Sequence, residues 1–133
     1  MFKTYQEAFN ETIEKLKAQK TGAFNNESRY CQYLTNDGNK CAIGVHIPDG
    51  HPLQKCEGPL NALINMNSNE MPDFLMISSE TQEHMIFDFW WEIQRIHDKV
   101  MTKYYECDDL MYIMMLGYRN FAATSGYDLK FNE

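Results

Sequence analysis

The chain is short of positive charge. It holds 12 Lys and Arg against 19 Asp and Glu, a net charge of −7. The deficit is uneven: residues 1–40 hold six cations and five carboxylates, while residues 41–133 hold six and 14. A body this acidic is unsuited to gripping a nucleic-acid backbone, where affinity comes from neutralising phosphates. A free nucleotide asks for less, since one arginine and a few backbone amides hold a phosphate. A long apolar run is also missing. The longest lies near Leu110 to Leu116, too short to span a bilayer. No apolar leader follows Met1-Phe2-Lys3, so no signal peptide is expected. These absences predict a cytoplasmic protein with neither nucleic acid nor membrane as partner. With no sign of secretion, the four cysteines, Cys31, Cys41, Cys56 and Cys107, are expected as reduced thiols. No C-x-x-C pair, internal repeat or low-complexity tract occurs.

What the chain does have is material for a core: 44% apolar and 14% aromatic residues in 133, enough for one domain over residues 1–133. Phe2, Tyr5, Phe9, Ile13 and Leu16 recur at helical spacing and predict a helix over 3–20, with Gly22 as its stop. Arg29 to Leu34 and Lys40 to Ile47 flank Asn36-Asp37-Gly38-Asn39, which predicts a β-hairpin over about 29–47, broken by Pro48-Asp49-Gly50. Pro59 opens a short helix. The strongest helix is expected over about 79–101 with Ser79 as N-cap, and the last over 107–124. Tyr127 to Phe131 add a short strand or tail. The expected class is α+β: one hairpin packed on about four helices.

Two stretches carry a resemblance. Cys31-x-Tyr33, Gly38-Asn39-Lys40-Cys41-Ala42-Ile43-Gly44, Ile47-Pro48-Asp49 and Glu57-Gly58 form the first, and Ile93-Gln94-Arg95-Ile96-His97-Asp98 the second. Together they resemble a family of small uncharacterised phage and prophage proteins. Those have a Cys-Ala-Val-Gly-x-x-Ile-Pro-Asp hairpin and a later helix ending in Leu-Gln-x-x-His-Asp. The resemblance covers most of the chain after residue 28. It implies a viral or prophage origin and action in a bacterial host cytoplasm, and it brings no catalytic role. Family members often have Cys and Leu at the positions of Val45 and His46, so it gives His46 no essential part.

Several constellations are candidate chemistry. Cys31, Cys41, His46, His51 and Cys56 put five potential zinc ligands into 26 residues, but without the close pairs of a zinc knuckle. Cys31 and Cys41 read equally as small buried residues facing each other. Glu80, His84 and Asp88 share a helix face, as a metal pattern or a solvated stripe. Cys41 or Cys107 with His97 would make a thiol enzyme. Against that, Asp98 beside His97 should point about 100° away on a helix, and His97 reads as a core histidine. No cofactor is expected.

The long helix is the most informative element. Met85, Ile86, Phe89, Trp90, Ile93, Ile96 and Val100 form a core stripe. Phe87, Trp91 and Arg95 line up on another side at i, i+4, i+8, a platform for a base and a phosphate or a patch packed on another element or subunit. The expected ligand site is Phe87, Trp91 and Arg95, joined by the hairpin exit with His46, Asp49 and Glu57. Tyr112 and Leu116 lie outside the core face of the last helix, which suggests a homo-oligomer. The leading expectation is a phage accessory protein that sequesters a nucleotide-like host signalling molecule to blunt host defence. The alternatives are an inhibitor that binds a host protein and a Cys/His-dependent or zinc-dependent hydrolase.

Overall fold

The computed structural model describes residues 1–24 and 32–132. Four α-helices carry the fold: α1 (Tyr5–Gln19), α2 (Leu60–Met66), α3 (Glu83–Tyr104) and α4 (Leu110–Thr124). Short 3-10 turns occupy Gly44–His46, Pro52–Lys55 and Asp73–Leu75. No described helix is long and apolar enough to cross a membrane.

Local chemistry sets the helix ends. Thr4 caps α1 by accepting the Glu7 N–H at 3.1 Å. The helix stops at Lys20, which turns left-handed (φ 70°) and returns its N–H to Leu16 O. Gly22 is therefore not the stop; a Cβ there would lie 2.3 Å from His97 Nε2, so glycine lets the chain lie against α3. α3 begins at Glu83 rather than at Ser79, because the Glu80 carboxylate takes the Thr81 and Gln82 N–H groups and the Tyr5 hydroxyl. Glu80 is thus off the helix, and the Glu80–His84–Asp88 line does not form.

The expected α+β class is wrong, and the fold is helical. Among the described residues there is no β-strand, only the isolated bridges Phe2–Ile77, Gln32–Glu57 and Leu34–Lys40. The Asn36–Asn39 turn does form, with Thr35 N–H donating to Asn39 O at 2.8 Å and Gly38 at φ +85°. The arms then part. Cys41 to Ile47 coils instead, with Val45 N–H on Cys41 O and His46 N–H on Ile43 O, each at 3.0 Å. Burial explains the choice. All residues from Cys41 to Ile47 are buried, whereas a two-stranded hairpin on a core would bury every second one. The start of the expected first strand, with Cys31, lies outside the described residues. Tyr127 to Phe131 forms no strand either; it lies on α1, where Gln6 pairs with both backbone groups of Lys130.

Among the described residues one buried cluster forms the core, and Trp90 is its largest fully buried side chain. Its indole N–H donates to Leu75 O at 2.8 Å, and Phe2, His46 and Phe89 pack around it. α4 lies against α3 through Tyr118, whose hydroxyl donates to Ile93 O at 2.9 Å. Met85, assigned above to the core stripe, is instead exposed. Tyr112 and Leu116 are exposed too.

Two substitutions test the packing of the coil. At Gly44 a Cβ would sit 2.0 Å from the Tyr33 carbonyl oxygen, backbone against side chain, with no flexible group to yield. Gly44→Ala should therefore cost about 3 kcal/mol or more. Gly50→Ala, at φ +78° but in open space, should cost only about 1 kcal/mol. Urea midpoints at unchanged m distinguish them. The Tyr33 hydroxyl is buried without a hydrogen-bond partner among the described residues. Tyr33→Phe should raise stability by about 1 kcal/mol, since it removes an orphan polar group and leaves the ring.

Candidate functional site

Polar side chains on the inner side of α3 hold the loops. Gln94 Oε1 accepts the Ile43 N–H at 3.1 Å, and its amide donates to Asp98 Oδ1 at 2.7 Å. His97 Nε2 accepts the Ala23 N–H at 3.0 Å, which leaves its proton on Nδ1, 2.9 Å from the same Asp98 oxygen. The two stretches behind the resemblance thus meet at Gln94. Asp98 does reach His97 although they are adjacent on the helix, contrary to the simple angular expectation. The imidazole position that a thiol would need is filled by a backbone N–H. Cys41 is fully buried, accepts the Gly44 N–H, and burial pushes its thiol up to about 12. That is the opposite of an activated nucleophile. Cys107 is exposed.

Next to these polar groups, α3 forms one wall of a cavity of about 500 Å³, within the range of small-molecule sites. Trp91, Gln94, Arg95, Asp98, Lys99 and Lys103 line it along the helix. Pro59 and Leu60, at the start of α2, face them. Twelve residues of helix separate Trp91 from Lys103, about 18 Å at 1.5 Å per residue. The wall offers an aromatic side chain, a carboxylate fixed by two donors, and three cations. Arg95 also pairs with Glu92 at 3.1 Å, but both are well exposed, and such pairs are weak.

The expected site residues fall into separate places. Trp91 and Arg95 lie together on the cavity wall. Phe87 is not in the cavity lining; it stacks behind Trp91, ring centres 5.8 Å apart at 24°, and supports that ring. Asp49 is exposed and pairs with Lys40 at 2.9 Å, which holds its carboxyl below the usual range. Glu57 is exposed and bonded to Gln32. His46 is buried behind Trp90. The hairpin exit therefore does not line this cavity with Trp91. Lys99, Thr102 and Lys103 were missed, although Lys99 and Lys103 continue the i+4 line from Arg95. Among the described residues no three His, Cys, Asp or Glu could hold a metal. Cys31 lies outside the described residues. Cys41 and His46 are spent on internal bonds, His51 caps Leu53, and the Cys56 thiol faces Glu57 O.

His46 has its own network. Nδ1 lies 3.0 Å from Glu11 Oε2, and Nε2 lies 2.7 Å from the Thr12 hydroxyl. Burial first, then the Lys15 and amino-terminal charges, pushes the imidazole down to about 3. In the neutral ring the proton sits on Nδ1 toward the Glu11 carboxylate, while Nε2 lies against the oxygen of the Thr12 hydroxyl, whose own proton goes to Ala8 O at 2.8 Å. The unfolded chain takes up a proton here near pH 6.5 and the folded one does not, so stability falls as pH drops below about 6.5. This group alone contributes a slope of up to about 1.4 kcal/mol per pH unit. Urea unfolding at pH 7 and pH 5 should show His46→Gln losing less stability than the parent. No protein-family model, curated protein or solved structure matches the chain.

Proposed function

We propose that this chain binds a nucleotide-like anion in the cavity beside α3 and acts by sequestering it. One observation supports the reading above the others: Trp91, Arg95, Lys99 and Lys103 share one cavity wall. Only six cations occur in residues 41–133, and three of them stand on this wall. A planar base stacks on Trp91. The Asp98 carboxylate, oriented by His97 and Gln94, accepts from a sugar hydroxyl or a base amino group. Phosphate meets the cations. The buried, proton-holding thiol of Cys41 favours binding over thiol catalysis.

The wider setting, a phage accessory protein that withholds a host signal in the bacterial cytoplasm, rests on the resemblance alone. The exposed Tyr112 and Leu116 on α4 favour, as a second reading, a homo-oligomer or a host-protein partner that covers them.

Isothermal titration calorimetry with AMP, GMP, CMP and UMP at low salt tests the first reading. At least one should bind. Trp91→Ala should weaken it by about 1–3 kcal/mol, the range for one base–aromatic stack. Lys99→Ala should weaken it less, and the loss should shrink as salt is raised. Absence of binding by all four, or binding indifferent to both substitutions, sinks the reading.

A further inference from the structure

A second cavity, of about 370 Å³, runs along the opposite side of the same stretch of α3, between α3 and α4. Arg95, Lys99 and Lys103 line both cavities. They form a ridge with a cavity on either flank, spaced about 6 Å apart along the helix axis. One flank offers Trp91 and Asp98. The other offers Ile96, Tyr104 and Phe121 as apolar surface, and Glu92 and Asn120 as polar groups. The α4 backbone comes close here because Gly117 faces Ile96, where a Cβ would lie 2.9 Å from Cγ2.

We infer that the ligand is a dinucleotide, its phosphates on the Arg95–Lys99–Lys103 ridge and its two bases in the cavities on either flank. The inference rests on the nucleotide reading above and adds the second half-site. The argument is charge and shape together. A mononucleotide fills one cavity and leaves the cations shared with the other flank half used. A ligand with an anionic centre and two planar ends uses both sides of the ridge. In the second cavity the Glu92 carboxylate, at its edge, suits a base amino donor better than a phosphate. Glu92 is then released from Arg95 as phosphate takes its place.

The test compares AMP and GMP with the linear dinucleotides pApA and pGpG, on the parent chain and on Asn120→Trp. Asn120 is exposed, so the substitution fills the second cavity without touching the core. A dinucleotide should bind at least tenfold tighter than its mononucleotide. Asn120→Trp should remove that advantage and leave mononucleotide affinity unchanged, whereas Trp91→Ala should weaken both. Equal affinity of mono- and dinucleotide, or an advantage that survives Asn120→Trp, overturns the two-cavity ligand while the single-cavity reading stands. Binding by neither overturns both. Circular dichroism of the variant, matched to the parent, excludes misfolding as the cause.

Discussion

Buried backbone N–H and C=O groups must find partners, and here long stretches of chain have no regular element in which to find them. Between α1 and α2 the described residues hold only two short 3-10 turns. α3 supplies what is missing. Trp90 takes Leu75 O, Gln94 takes the Ile43 N–H, and His97 takes the Ala23 N–H. These three side chains stand at i, i+4 and i+7, on one side of the helix. Each fixes a different loop, so one helix face sets the path of three irregular segments. Removing any of them leaves an unpaired buried group on the loop as well as a hole, a larger loss than a lost contact.

That arrangement also ties α3 to its neighbours. Its inner side is held at three loops, and Tyr118 ties it to α4. Asp98 joins these contacts to the cavity. One oxygen collects Gln94 and His97, and the side chain still borders the cavity. A carboxylate held by two donors does not need ordering when a ligand arrives, and the stacked Phe87 does the same for Trp91. Preorganisation of this kind lowers the cost of binding. The fold and the candidate site are therefore one construction, built on a single helix.

The helices were legible because their apolar spacing is long and regular, as in Phe9, Ile13 and Leu16 or Phe89, Trp90 and Ile93. Their ends were less so. Glu80 competes with Ser79 as a cap, and Lys20 adopts the left-handed turn assigned to Gly22. The hairpin failed for a different reason. Asn36 to Asn39 is a sound turn signal, but a turn fixes only the residues beside it. The run Cys41-Ala42-Ile43-Gly44-Val45 has no alternation, and a short apolar run of that kind does not distinguish a strand from a buried coil. Gly44 lets the coil lie against the Tyr33 carbonyl, where a Cβ would sit 2.0 Å from the oxygen. The site was half visible. Trp91 and Arg95 follow from spacing, while Pro59 and Leu60 come from another element and no local pattern links them to α3. His46 and Asp49 were grouped with the site by sequence proximity, and the coil sends one into the core and the other to the surface.

The acidic body and the basic ridge bear on each other. A long polyanion lying across this surface would carry its further phosphates over carboxylates such as Asp88 and Glu92, where like charges repel. A short anion confined to the ridge meets Arg95, Lys99 and Lys103 and stays clear of most of the rest. On the proposed reading, the same net charge of −7 that argues against nucleic acid becomes a device of selection. It disfavours polymers by repulsion, while a local cluster of cations and one aromatic side chain favour a small fragment of the same chemistry. The discrimination needs no extra contact, since it arises from where a few positive charges are concentrated in a negative field.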